Sequence, residues 1–267
     1  MSPPRRKRYA AGRARALGLA TRGTTAPNRL RRVDRWLVAV HGGLLRGAPA
    51  PPLVVDLGYG ESPVTAVELS GRLREVRDDV EVVGLEIDPA RVAAAQDAAR
   101  PGLSFRRGGF ELAGLRPLVV RALNVLRQYE EQPALEAWAV LRDGLAPGGL
   151  LVEGTCDEIG RRAAWVALDA DGPRTLTLAA HLPTLERPSA LAERLPKALI
   201  HHNVPGQPVH DLLTALDDAW DRTAAYAVYG PRARWSAACA ALSWPQTGPL
   251  RHREGELTVP WETVAPR

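Results

Sequence analysis

Val54-Val55-Asp56-Leu57-Gly58-Tyr59-Gly60-Glu61-Ser62-Pro63 decides the fold. An apolar run that closes on Asp-x-Gly-x-Gly puts two residues without side chains where the chain turns, so that a bound molecule can approach the backbone. Residues 63–77 after it read as a helix, with Pro63 suited to the first turn and the N-terminus directed at the same crevice. A lone Gly-x-Gly is a common turn. The strand before it and the helix after it make this one informative.

Outward from this stretch, short apolar runs and helical segments alternate. Val80 to Ile87 reads as a strand, Ala90 to Ala99 as a helix, and Leu103 to Arg106 and Leu118 to Leu123 as further strands. Ala134 to Leu145 reads as a helix ended by the turn Pro147-Gly148-Gly149, and Leu150 to Glu153 as a fifth strand. Such alternation calls for parallel βαβ units with helices on both faces of one sheet, an α/β fold. Then the pattern breaks. Ala164 to Leu168 and Arg174 to Ala180, joined by Asp169-Ala170-Asp171-Gly172-Pro173, predict an antiparallel hairpin at one edge. Residues 186–267 carry helical segments (Ser189 to Leu199, His210 to Tyr229 and Arg232 to Leu242), Pro-rich joints and four of the seven tryptophans, which predicts a helical cap.

Before the sheet, Thr25 is placed to cap a helix in which Leu30, Val33, Leu37, Val40 and Leu44 recur at helical spacing, ending at Gly42 and Gly43. The expected organisation is thus a basic arm over 1–24, a lid helix over 25–47, the sheet domain over 48–185 and the cap over 186–267.

Charge is unevenly divided. The chain has 267 residues and a net charge of +5, yet residues 1–35 carry +10 and the remaining 232 carry −5. Such an arm suits either nucleic acid or plain solvation. Forty-five per cent hydrophobic and 24% charged residues describe a soluble globular chain, with no window approaching the roughly 18 apolar residues of a spanning helix. No apolar segment backs the basic start, so export is not expected. Cys156 and Cys239 form no disulfide framework and no metal-ligand spacing, so no metal is expected and a reducing, cytoplasmic setting fits.

Val82-Val83-Gly84-Leu85-Glu86-Ile87-Asp88-Pro89 puts an acid at the end of the next strand, where a carboxylate accepts hydrogen bonds from ribose hydroxyls. Glu86 is the candidate, with Ile87 beside it, and Asp88 suits a helix cap. Together with Leu145-Ala146-Pro147-Gly148-Gly149-Leu150-Leu151, these stretches resemble the class I S-adenosylmethionine-dependent methyltransferases over about residues 50–180. The resemblance implies a Rossmann-like methyltransferase sheet, mostly parallel with an antiparallel edge hairpin. It implies S-adenosylmethionine as cofactor, the Asp56, Gly58, Tyr59, Gly60 turn against its methionine portion and Glu86 against its ribose. Where the family carries an acid for the adenine amino group, this chain has Gly108-Gly109-Phe110, so backbone groups and Phe110 are expected to hold the ring. Nicotinamide dinucleotides compete for the same fold, but their fingerprint wants a third glycine where Pro63 stands.

At the end of the fourth strand, Asn124-Val125-Leu126 and Tyr129 look like the corresponding stretch of the chemotaxis-type protein-carboxyl methyltransferases. Asn124 is assigned to the cofactor and Tyr129 to the acceptor, although Asn124 equally suits a turn after the strand. The chain has no Asn-Pro-Pro-aromatic motif for exocyclic base amines and no Pro-Cys for cytosine carbon. His201 and His202 are candidate general bases for a hydroxyl acceptor, with Lys197 nearby, and Asn28 and Arg29 are candidates in a segment folded over the cofactor. The expected function is methyl transfer to a small molecule, or to a carboxyl or hydroxyl group. The alternatives are an RNA methyltransferase gripping phosphates through residues 1–35, and a non-catalytic binding protein of the same fold.

Overall fold

The computed structural model describes residues 25–267, and the expected arm over 1–24 lies outside the described residues. Eight strands form one sheet: β1 (Leu53–Leu57), β2 (Glu81–Glu86), β3 (Leu103–Arg107), β4 (Val119–Leu123), β5 (Leu150–Cys156), β6 (Arg162–Asp169), β7 (Gly172–Ala180) and β8 (Glu256–Pro260). Their spatial order is β3-β2-β1-β4-β5-β6-β7-β8. The first five are parallel and the last three pairings antiparallel. The helices are α1 (Arg31–Arg46), α2 (Val64–Arg74), α3 (Pro89–Ala95), α4 (Glu131–Asp143), α5 (Lys197–Ile200), α6 (Pro208–Arg222) and α7 (Pro231–Ala240). The architecture is a Rossmann-like α/β sheet. No helix among the described residues is long and apolar enough to cross a membrane.

Alternate residues of each strand feed opposite cores. Val55, Leu57, Val83, Leu85 and Val120 face Trp138 and Leu141 of α4 and the C-terminal helices, with Leu212, Leu216, Trp220 and Trp235 behind them. Val54, Val82, Val119 and Val152 face Trp36 and Leu37 of α1 and Leu69 and Leu73 of α2. Each of these buried side chains stabilises the fold by about 1.5–3 kcal/mol relative to exposure. Trp36 meets Trp165 of β6 edge to face, with centroids 5.4 Å apart.

Three expectations need correction. First, α1 begins at Arg31, not at a Thr25 cap, because Asn28 is left-handed (φ 61°) and ends any helical path there. It runs through Gly42 and Gly43 to Arg46, since packing of its apolar face outweighs the weak helix propensity of glycine. One face of this helix packs into the core and the other is exposed, and the segment ahead of it, 25–30, lies over the sheet's edge. Second, the predicted helix over 189–199 is a short 3-10 segment (Pro188–Arg194) and α5, because Pro196 interrupts it. Third, the C-terminal region is not helical throughout. Glu256-Leu257-Thr258-Val259 pairs with β7, so the β6–β7 hairpin lies one strand in from the edge. The hairpin turns at Ala170–Asp171, where Asp169 Oδ1 accepts from the backbone of Asp171 (2.9 Å) and Gly172 (3.3 Å).

Candidate functional site

The strand order reverses between β1 and β4, where open α/β sheets leave a crevice at the carboxyl ends of the strands. Gly58 makes the exit of β1 possible. Its φ is +68°, and a Cβ there would lie 2.8 Å from Val125 Cγ2. Its N–H donates to the Leu85 carbonyl (2.7 Å). Gly60, at φ +86°, donates its N–H to Glu86 Oε2 (3.1 Å). The acid of β2 is thereby joined to the glycine turn of β1. Glu86 Oε1 accepts from the backbone of Ile87 (2.8 Å) and Asp88 (3.2 Å), and Arg91 Nη1 lies 3.7 Å from Oε2. Asp88 caps α3 as expected from its position, accepting from Ala90 N at 2.8 Å.

Two residues assigned to the cofactor turn inward instead. The Tyr59 ring is buried edge to face on Phe105 above Gly84, because Gly84 has no side chain to hold it off. Burial, with Glu86 and Asp56 nearby, pushes its phenol up to about 12. Only its backbone stays at the turn, where the carbonyl accepts from Thr25 Oγ1 (3.3 Å). The Asp56 carboxylate accepts from Arg121 Nε (3.0 Å) and Thr65 Oγ1 (3.1 Å), with Arg121 Nη2 2.7 Å from Oδ2. Arg121 is fully buried on β4 beside Asp56 in register, and it also binds Asp34 of α1 and the Thr65 carbonyl. Asp34 holds Arg72 of α2 at 2.5 Å. Burial pushes the Asp34 carboxyl up, against the opposing pull of Arg121 and Arg72. Asp56 therefore orients the turn through this network and does not face the crevice. The sequence signal was an arginine inside the apolar run Val119-Val120-Arg121-Ala122-Leu123, and a lone acid among the arginines of 29–35.

Asn124 also departs from its assignment. It is left-handed (φ 63°), its Oδ1 accepts from Cys156 N (2.9 Å) and its Nδ2 lies 3.2 Å from Cys156 Sγ. It fastens β4 to β5, the turn role that its position equally suited. Burial pushes the Cys156 thiol up, against the opposing pull of Arg29 and Asn124.

Beyond Glu86, Ile87 is half-buried, with its Cγ2 3.6 Å from where a Gly109 Cβ would stand. Phe110 packs on Tyr129, centroids 5.6 Å apart. Glu111, passed over in the sequence, folds its carboxylate back to accept from Gly109 N (2.7 Å) and is exposed. It supplies an acid two residues after the glycines that stand where the family's acid was sought.

The segment ahead of α1 closes over this edge. Asn28 N donates to Glu68 Oε1 (2.7 Å) and its Oδ1 accepts from Arg72 Nη2 (2.8 Å). Arg29 donates through Nε to the Asp157 carbonyl (2.9 Å) and through Nη2 to that of Cys156 (3.4 Å). Gly160 (φ +70°) lies directly under it, since a Cβ there would fall 2.0 Å from the Arg29 carbonyl oxygen. Nearby, Thr155 Oγ1 donates to the Arg194 carbonyl (2.5 Å), and Arg194 Nε is buried with no hydrogen-bond partner among the described residues. Burial lowers the Arg127 guanidinium, and the positive charge of Arg194 lowers it further.

The two histidines are separated in environment. His202 Nε2 lies 2.6 Å from Glu131 Oε1 at the start of α4, two residues past Tyr129. His201 is exposed and 3.3 Å from Lys197 Nζ, so this pair stands at the surface.

No protein-family model matches the chain, and no curated protein matches it. Among solved structures, it is similar to magnesium protoporphyrin IX methyltransferase from Synechocystis PCC 6803, at 22% identity over 48% of this chain and 54% of that one, with a TM-score of 0.38. It is similar to human N-acetylserotonin methyltransferase at 19% identity over 49% and 39% of the two chains, with a TM-score of 0.33. A plantazolicin methyltransferase matches at 12% identity over 47% and 46%, with a TM-score of 0.36. The chain thus spans about half the length of the first of these.

Proposed function

We propose that this protein transfers a methyl group from S-adenosylmethionine to a small-molecule acceptor through a carboxyl or hydroxyl group. The observation that carries the reading is the Gly60–Glu86 contact at the β1/β4 reversal, which brings the ribose acid and the glycine turn to one point. The residues present suit the cofactor. Gly58 and Gly60 leave the turn open to the methionine portion, Glu86 Oε2, which takes a single backbone N–H, keeps an acceptor position for the ribose, and Ile87, Phe110 and the Gly109–Glu111 turn flank the place for adenine. When bound, S-adenosylmethionine supplies an electrophilic methyl group on a sulfonium. The chain's own work is to hold that carbon in line with the acceptor and keep water out, so that proximity and orientation lower the barrier.

A carboxylate acceptor is already nucleophilic and needs no base. Arg127 and Arg194, close to the ends of β4 and β5, favour an acceptor of that charge. For a hydroxyl acceptor, His202, tied to the segment after Tyr129, is better placed than His201. Titration calorimetry with S-adenosylmethionine and its demethylated product decides the cofactor. Both should bind, and no binding of either alongside tight binding of a nicotinamide dinucleotide would sink the assignment. Incubating cell extract with labelled methyl donor should then mark a small molecule, and label released by mild base identifies a methyl ester.

A further inference from the structure

A second site lies on the same edge of the sheet, far from the glycine turn. β7 runs parallel to β5, since both are antiparallel to β6, so the end of β7 and the start of β8 share the edge that carries Gly58. Four strand spacings, roughly 19 Å, separate the β1/β4 and β7/β8 positions. Beside the end of β7 and the start of β8 opens a cavity of about 540 Å³, within the range of small-ligand sites.

Its walls are arginine. Arg31, Arg32 and Arg35 enter from the first turns of α1, Arg232 from the first turn of α7, and Arg251 and Arg253 from the short helix before β8. Only two acids, Glu254 and Glu256, line it, and Glu256 is taken up by Arg251 through two contacts of 2.8 and 2.7 Å. Arg32 donates to the Glu254 carbonyl (2.9 Å). Arg31, Arg35, Arg232 and Arg253 make no ion pair among the described residues. Like charges held around a cavity at this density repel one another unless an anion occupies it. The starts of α1 and α7 both border it, and their aligned peptide dipoles add positive potential. His181 registers that field: burial lowers its pKa, and Arg32, Arg161 and Arg31 lower it further.

The rim adds a second kind of contact. Tyr229 lines the cavity and is 78% exposed, with Tyr226 edge to face at 6.4 Å and Val228 and Leu250 also bare. An exposed aromatic beside unpaired guanidinium groups matches the two demands of a nucleotide, a planar base to stack and a phosphate to neutralise. We propose that this cavity binds a nucleotide unit, its phosphate among Arg31, Arg35, Arg232 and Arg253 and its base against Tyr229. The unit is either a free nucleotide or part of a single strand. This site does not depend on the methyl-transfer reading.

The test is fluorescence anisotropy of the full chain with a labelled oligouridylate, competed by unlabelled oligouridylate, uridine 5'-monophosphate and orthophosphate. The labelled strand should bind. A double variant Arg232→Glu/Arg253→Glu, changed at two exposed and unpaired positions, should weaken it by about tenfold or more, and Tyr229→Ala by about tenfold. Glu86→Gln should bind the strand as the wild type does. Displacement by the mononucleotide assigns the cavity to free nucleotides, whereas displacement by the unlabelled strand alone assigns it to nucleic acid. Unchanged affinity in the double variant would overturn the proposal and assign binding to residues outside the cavity. Equal displacement by orthophosphate, with Tyr229→Ala without effect, would overturn it in favour of a site for bare anions.

Discussion

At the scale of single residues, the site depends on backbone conformations that most side chains avoid. Gly58 is left-handed and lies against Val125. Gly58→Ala should cost about 1–3 kcal/mol in a denaturant titration, through the unfavourable φ and the displaced valine, and should weaken cofactor binding in calorimetry. Behind Phe110 the opposite mismatch occurs. Leu112 and Ala113 hold φ of 53° and 52° without being glycine. Ala113 is exposed, so Ala113→Gly should raise stability by about 0.5–1 kcal/mol, read from the same titration. Glu86→Gln keeps the side chain's shape but loses half of its acceptor capacity and its charge, and should weaken S-adenosylmethionine by roughly 10- to 100-fold in calorimetry. That Gly58, Gly60 and Glu86 meet at one turn was legible in the sequence because their spacing relative to a strand is a local property. The directions of the Tyr59, Asp56 and Asn124 side chains were not legible, because they answer to partners far along the chain: Phe105, Arg121 and Cys156. No period or spacing encodes such contacts.

At the scale of elements, α1, β1 and β4 are joined through charge rather than apolar packing alone. Asp34, Arg121 and Asp56 form a buried chain in which Arg121 is the shared cation. Arg121→Met would leave Asp56 buried with no cation and Asp34 with Arg72 alone, and should cost about 3–5 kcal/mol, measured by urea unfolding. A second buried carboxyl has no cation beside it. Glu153 of β5 accepts from Trp138 Nε1 of α4 (3.2 Å), while its Oε1 has no partner among the described residues. Burial pushes this carboxyl up to about 8. The folded protein therefore holds a proton that the unfolded chain releases near pH 4.5, and stability falls as pH rises from about 5 to about 8. The loss is at most ~1.4 kcal/mol per pH unit. Thermal melts across that range should show this slope in the wild type and a flatter one in Glu153→Gln. The strands and most helices were legible from alternation and period, and their ends were not. Asn28 and Pro196 cut two predicted helices short, Asn28 because a tertiary partner, Glu68, takes its N–H.

At the scale of the whole molecule, the unforeseen feature is β8, which covers β7 from 76 residues further along the chain. Four alternating residues between a turn and a proline carry too little signal to be told from a loop, and only the waiting edge of β7 makes them a strand. Val259 is 1% exposed within β8. Val259→Asp should cost about 2–4 kcal/mol in a thermal melt, and light scattering should detect association through the uncovered edge. Order of synthesis gives this pairing a further meaning. β7 leaves the ribosome long before Glu256–Pro260, so throughout that interval its outer row of backbone donors and acceptors is bare, together with the apolar residues α6 and α7 later bury. The nascent chain thus passes through a stage that invites β-strand addition from other chains, and the emergence of Glu256–Pro260 closes it.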